Sequence, residues 1–165
     1  MTVLTRDMMQ RFTEEPCWTV RARIVESVAT RYVENMFEDG ERAAALDLFR
    51  LALYDAEPLV RRVLAETIKH ASELPRDIVR SIVTDDPEVS APFLAESPLL
   101  SDDDLIAIAL LGSRAERAAI ARRPRLPPQV ARAVRGDGDQ ATPRGKTDAR
   151  DASRSSGIPI SPTGT

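Results

Sequence analysis

Residues that carry chemistry are scarce in this chain of 165 residues, which has one cysteine and one histidine. The single Cys17 excludes an internal disulfide and any zinc or iron–sulfur site built on several cysteines. The single His70 excludes metal sites made from paired histidines, and it is the only base that a serine or cysteine triad could use. The glycine-rich signatures of phosphate-binding loops are absent as well. We therefore expect no catalytic residue, no metal and no cofactor, and predict that the protein is not an enzyme.

Long apolar segments are also missing. Arg6 and Glu14 interrupt the N-terminus, and no apolar core of the secretory type follows them. The longest uncharged stretch near the middle of the chain spans 105–113, far short of the ~20 residues that a membrane-spanning helix needs. The net charge of −3 provides no overall attraction to nucleic acid or to an anionic membrane. A cytoplasmic location without membrane contact is the expectation.

Glycine is rare in the first 135 residues, where only Gly40 and Gly112 occur, and common from Gly136 onward. Beyond alanine, Ile158 and Ile160 are the only apolar residues of segment 136–165. Such a segment buries too little apolar surface to offset the entropy of ordering, so we predict a disordered C-terminal tail over 136–165. The rest divides into an N-terminal segment, 1–16, expected to be partly helical, and a helical repeat domain, 17–135.

Helical periodicity is clearest between residues 18 and 37. Its apolar residues follow one another every four positions: Val20, Ile24, Val28, Tyr32 and Met36. This spacing is typical of an amphipathic helix, which we expect to end at Asp39-Gly40, with a second helix over 41–54. Asp55 is expected to cap a third helix. Pro92 is expected to kink or shorten a later one. Further helix starts are predicted at Pro75, Asp86-Pro87, Ser101, the capping box from Ser113 to Glu116, and Pro127-Pro128.

The later helices repeat with a period of 26 residues. Leu74-Pro75, Leu100-Ser101 and Leu126-Pro127 occupy equivalent positions, and the apolar residues that follow them recur in phase. One helix pair cannot bury its apolar face alone, whereas stacked pairs share a continuous core. No segment alternates with period two, so no sheet is expected. The pattern predicts an all-α fold, a HEAT-like α-α superhelix that forms a short solenoid of helix pairs; an ordinary helical bundle is the alternative.

Charge is segregated along the chain. Segment 81–111 has seven acidic residues and no lysine or arginine, whereas segment 112–135 has seven arginines and one acidic residue. Both segments could form solvated surface and pair with each other across the stack. Alternatively, the basic end binds an acidic partner segment or a phosphate backbone. The arginines that we expect to contact a partner are Arg114, Arg117, Arg122, Arg123 and Arg125.

These features favour a non-enzymatic protein–protein interaction module or scaffold. The alternative is nucleic-acid binding through the arginine-rich end, 112–135, which is disfavoured because no aromatic residue follows Phe93 to stack on bases. Cys17 is expected to be a small buried residue, with a reactive thiol as the alternative. Trp18 is expected to be a packing residue, with a partner anchor as the alternative. His70 is expected to interact with a helix C-terminus.

Three stretches of the sequence resemble an uncharacterised bacterial domain family, common in alphaproteobacteria and of unknown function. They are RARIVESVATRYVENM (21–36), FLAESPLLSDDDLIAIA (93–109) and AAIARRPRLPPQVARAV (118–134). The resemblance covers roughly 18–135. It implies a HEAT-like or leucine-rich-variant helical solenoid and brings no catalytic residues with it. Members of that family continue through further helices after the Gly-Asp near Gly136, whereas a low-complexity tail follows in this sequence. This departure is compatible with a naturally short member, a truncation or a frameshifted copy. An uncapped solenoid end is expected to favour self-association or a partner.

Overall fold

The computed structural model describes residues 3–136, with side chains from residue 7 onward, and this part of the chain is helical without any strand. Its helices are α1 (Val3–Glu14), α2 (Trp18–Val33), α3 (Asp39–Ala52), α4 (Pro58–Ile68), α5 (Arg76–Val83), α6 (Pro87–Glu96), α7 (Asp102–Leu111), α8 (Arg114–Ile120) and α9 (Pro128–Arg135). The predicted disordered tail lies outside the described residues except for Gly136. That glycine adopts a left-handed φ of 78° directly after α9.

Capping residues define most of the helix starts. Ser101 and Ser113 form capping boxes with the residues three positions later, Asp104 and Glu116. Each serine hydroxyl accepts a backbone N–H of the first turn, and each carboxylate accepts the N–H of its serine. Proline is the first residue of α4, α6 and α9, where its missing N–H removes no helical hydrogen bond. The helix starts predicted at Asp86-Pro87, Ser101, Ser113 and Pro127-Pro128 are confirmed.

Two predicted boundaries between residues 33 and 57 are wrong. Helix α2 ends at Val33, and Asn35 adopts the left-handed conformation with a φ of 55°. Asp39 and Gly40 instead lie in the first turn of α3, because Glu38 forms a capping box with Glu41 and starts that helix. Similarly, the residue before α4 is Glu57 rather than Asp55. The carboxylate of Asp55 is bound by an arginine of α2, as described below.

Successive helices stack as in a solenoid. Helices α2, α4, α6 and α8 form one row, which we call the main row, and each of them packs on the next. The intervening helices pack on this row; α9 also packs on α7, and α1 packs on α3. Phe12 brings α1 into the shared core, where its side chain is 4% exposed. The predicted all-α fold with solenoid-like stacking is confirmed.

A continuous apolar core runs through all of these layers. Its largest fully buried side chains include Leu48, Phe49, Leu64, Ile68, Ile82, Phe93, Leu94, Leu105 and Ile120. In α6, Pro92 removes one helical hydrogen bond, yet the helix continues to Glu96. The burial of the two residues that follow Pro92 stabilises the helix beyond it, so the expected shortening is wrong. No helix in residues 3–136 is long and apolar enough to cross a membrane.

Candidate protein-interaction surface

Two arginines of the main row bind aspartates of the following layer. Arg21 of α2 donates from Nε and Nη2 to the two carboxylate oxygens of Asp55, at 2.7 and 2.9 Å. Arg61 of α4 donates in the same way to Asp85, at 2.8 and 3.0 Å. The side chains of both pairs are at most 17% exposed. We call these two-bond contacts arginine forks; they are the partly buried charged links between successive layers.

Hydrogen bonding outweighs burial at the first fork. Burial raises the pKa of the Asp55 carboxyl, but the hydrogen bonds from Arg21 and from the Glu57 N–H more than reverse this effect. The pKa of Asp55 is therefore held below its ordinary value, while the Asp55 carboxylate raises the pKa of Arg21. Because the carboxylate stays charged at neutral pH, the fork fixes how α4 sits on α2.

Acidic residues of segment 81–111 pair with earlier layers rather than with the arginines that follow them. Asp85 is bound by Arg61, and Glu96 accepts a hydrogen bond of 2.8 Å from Lys69. Asp104 likewise accepts a longer bond of 3.3 Å from Arg76. Each of these acidic side chains accepts a hydrogen bond from an arginine or lysine of the preceding layer. The interpretation that they pair with the arginine-rich segment is therefore wrong for these three acids.

The five predicted contact arginines fall into two groups. Arg123 is half-buried and donates to the backbone carbonyls of Leu94 and Ser97 at the end of α6, at 2.7 and 2.6 Å. Burial lowers the pKa of Arg123. Its two bonds to α6 direct the guanidinium group into the fold rather than toward a partner. Arg117 is also half-buried and donates from Nη1 to the Gly112 carbonyl at 2.7 Å.

The second group consists of Arg114, Arg122 and Arg125, which are exposed. Within residues 7–136 none of these three guanidinium groups has a hydrogen-bond or ion-pair partner. Arg114 is the first residue of α8, Arg122 follows its last turn, and Arg125 lies in the connection to α9. These arginines are therefore available to an external acidic group.

Helix α8 has one buried and one open face. Ala119 and Ile120 are fully buried against the core. Residues on an α-helix are separated by about 100°, which places Arg114, Ala118 and Ala121 on the opposite side. The exposed residues in and beside α8 are Arg114, Ala115, Ala118, Ala121 and Arg122. This surface, which we call the α8 face, combines small apolar side chains with unpaired positive charge.

A pocket of about 450 Å³ lies beside the α8 face. It is lined by Leu110, Arg117, Val134 and neighbouring residues of α7 and α9. A larger groove of about 710 Å³ lies between α5 and α7, with Val83 and Leu111 among its lining residues. Neither feature is predicted from the sequence, although Leu110 and Leu111 lie off the apolar period set by Leu105 and Ala109 in α7.

Three residues singled out in the sequence lie elsewhere. Cys17 is exposed, contrary to the expected burial, and its Sγ lies 3.0 Å from the Thr19 hydroxyl, which lowers the pKa of the thiol. Trp18 is 41% exposed, so its packing is partial. His70 follows the end of α4, and its Nε2 lies 3.7 Å from a Glu96 carboxylate oxygen. In the described part of the chain, no three acidic, cysteine or histidine side chains are grouped as a metal site requires.

The fold and this surface define a class of protein: a small helical stack whose last described helices carry exposed arginines. Residues 89–162 match the model of a family described as an uncharacterised protein conserved in bacteria (DUF2336). The expected resemblance to an uncharacterised bacterial family is confirmed by this match, which begins in α6, includes the stretches 93–109 and 118–134, and extends past Gly136. The stretch 21–36 lies outside the match. No curated protein and no solved structure matches the chain.

Proposed function

We propose that the protein is a non-enzymatic interaction module whose α8 face binds an acidic, amphipathic helix of a partner protein. The observation that carries this proposal is the position of α8. It is the last described helix of the main row, and its exposed side carries Arg114 and Arg122, which have no partner within residues 7–136. Every earlier contact within the row is helix against helix, so another helix is the element that fits this side.

The charges indicate why the partner helix is expected to be acidic. In the described layers, arginine and lysine side chains pair with acids of the following layer, as at Arg61 and Asp85. The unpaired arginines of the α8 face continue this arrangement but lack the acids. The source of these acids that we propose is a separate protein. A HEAT-like classification and a cytoplasmic location are part of the same proposal.

The proposal is tested with the double variant Arg114→Glu/Arg122→Glu. We expect it to lose a partner that the wild-type protein captures from a lysate of its own host, since two attractive charges become repulsive. The matched control is Arg11→Glu/Arg23→Glu, which makes the same charge change at exposed arginines of α1 and α2. The captured partner must also protect α8 from hydrogen exchange. Identical capture by both double variants would refute the proposal.

Nucleic-acid binding is the competing explanation for the same arginines. A fluorescence-anisotropy titration with a DNA duplex separates the two, because a phosphate-backbone contact weakens steeply as salt rises. We expect no salt-dependent complex with the wild-type protein. A complex that forms at low salt and is lost in Arg114→Glu/Arg122→Glu would favour the nucleic-acid alternative.

A further inference from the structure

Arg117 occupies the same local position as the two fork arginines. Arg21, Arg61 and Arg117 are each the fourth residue of a main-row helix. Each also donates from Nη1 to a backbone carbonyl five or six residues earlier in the chain, at 2.7–3.0 Å. This shared bond orients the guanidinium group, leaving Nε and Nη2 to form a fork. In residues 7–136, those two donors of Arg117 have no partner.

We propose that Arg117 forms a third fork, with an aspartate that the partner helix carries two or three residues before its first turn. This inference rests on the proposed docking at the α8 face and names the contact that sets the partner's register. The carboxylates of the existing forks come from such positions. Asp55 lies three residues before Pro58, the first residue of α4, and Asp85 lies two residues before Pro87, the first residue of α6.

The surroundings of Arg117 suit a carboxylate. The pocket beside it is lined by the apolar side chains of Leu110, Ala133 and Val134 together with Arg135, and it is open to solvent. Hydrogen bonds between charged groups are stronger than those between neutral ones, so the carboxylate that suits Arg117 is one that accepts two bonds. A planar guanidinium with two parallel free donors matches the two oxygens of a carboxylate, which a lysine cannot do. The pocket therefore selects for an aspartate or glutamate rather than for negative charge in general.

The implied partner is an amphipathic helix that is preceded by acidic residues. This chain contains a segment with the same pattern, which can be used as a probe. Segment 84–97 begins with Thr84-Asp85-Asp86-Pro87 and has four acidic residues and no basic one. In the fold it forms α6, whose start is bound by Arg61. A labelled peptide with this sequence presents to α8 what α6 presents to α4.

The experiment is a fluorescence-anisotropy titration of the full chain with this peptide. We expect binding that weakens about tenfold when the peptide carries Asp85→Asn, because a two-bond fork is lost. The Asp86→Asn peptide has the same net charge as the Asp85→Asn peptide. In the fold Asp86 is 68% exposed and makes one longer contact of 3.2 Å with Arg61, so this peptide should bind within about threefold of the parent. On the protein side, Arg117→Lys should weaken binding about tenfold, and the control Arg132→Lys, at an exposed arginine of α9, should not.

Several outcomes would overturn this inference. They are equal binding of the Asp85→Asn and Asp86→Asn peptides, no binding of any peptide, or unchanged affinity in Arg117→Lys. If Asp137→Asn strengthened peptide binding, Asp137 would be competing with the peptide for the Arg117 guanidinium group. The third fork would then form with this chain's own Asp137. A concentration-dependent dimer that Arg117→Lys abolishes would assign it to a second copy. The α8 proposal survives each of these results if Arg114→Glu/Arg122→Glu still loses its captured partner.

Discussion

Replacement of Asp55 by asparagine isolates the energetic contribution of an interlayer fork. The Asp55 side chain is 4% exposed, and its carboxylate accepts two hydrogen bonds from Arg21 and one from the Glu57 N–H. Asparagine has nearly the same volume but only one acceptor oxygen, and its NH₂ group would face the guanidinium donors. The variant therefore leaves Arg21 partly buried with an incomplete set of partners.

The expected loss follows from the burial of the pair. Removing one member of a fully buried ion pair costs about 3–5 kcal/mol, whereas exposed pairs contribute about 0–1 kcal/mol. Arg21 is 17% exposed, so we expect the free energy of unfolding of Asp55→Asn to fall by about 2–3 kcal/mol. The matched control is Asp77→Asn, which breaks an equally short contact of 2.7 Å to Arg50 between side chains 42% and 57% exposed. It should cost clearly less stability than Asp55→Asn.

Urea unfolding followed by circular dichroism measures both losses. For a protein of this size the larger loss corresponds to a fall in Tm of about 5–10 °C. The reasoning would be refuted if the two variants lost the same stability, because burial would then not distinguish the two pairs. It would equally be refuted if Asp55→Asn were as stable as the wild-type protein.

The pH dependence provides an independent check on the same residue. The pKa of Asp55 is lower in the folded state than in the unfolded chain, where it is about 3.9. The carboxylate therefore stabilises the fold fully above that unfolded value, and this contribution is lost as the pH falls through the lowered pKa of the folded state. We expect the stability gap between wild type and Asp55→Asn to narrow on acidification below about pH 4. A gap independent of pH would contradict the assigned cause.

Three further substitutions test packing and hydrogen bonding by urea unfolding. Gly112→Ala should lower the free energy of unfolding by about 1–3 kcal/mol, because the added methyl group would press on the Ile108 carbonyl oxygen; an unchanged midpoint would show that the turn relaxes easily. Ser90→Ala should be neutral or stabilising by up to about 1 kcal/mol, since this buried hydroxyl has no partner among the described residues; a clear loss of stability would contradict this. Arg123→Lys should cost about 1–2 kcal/mol because one amine cannot replace both guanidinium bonds to α6, whereas the control Arg122→Lys should cost nothing measurable.

Helix starts were predictable because their causes lie within one helical turn. The hydroxyl of Ser101 and the carboxylate of Asp104 are three residues apart, and both bond to backbone groups that only a helix start leaves free. The repeat was predictable for a related reason: the same local pattern recurs wherever a layer begins. The end of α2 is harder to predict, because Asn35 adopts a left-handed conformation that glycine adopts more readily, and the sequence has a glycine nearby at Gly40.

The charged contacts were decided by tertiary structure. From the sequence, the acids of 81–111 could pair with the arginines that follow, yet Asp85 is bound by Arg61, 24 residues earlier. Likewise, nothing in the local sequence distinguishes Arg117 and Arg123 from the exposed Arg114 and Arg122. Only the first two point into the fold and bind backbone carbonyls. Amino-acid sequence by itself determined where most of the later helices begin and that the helices stack. Only the stacking decided which neighbour each long side chain reaches, because partners 20–35 residues apart meet through the rise and rotation of successive layers, which no local pattern specifies.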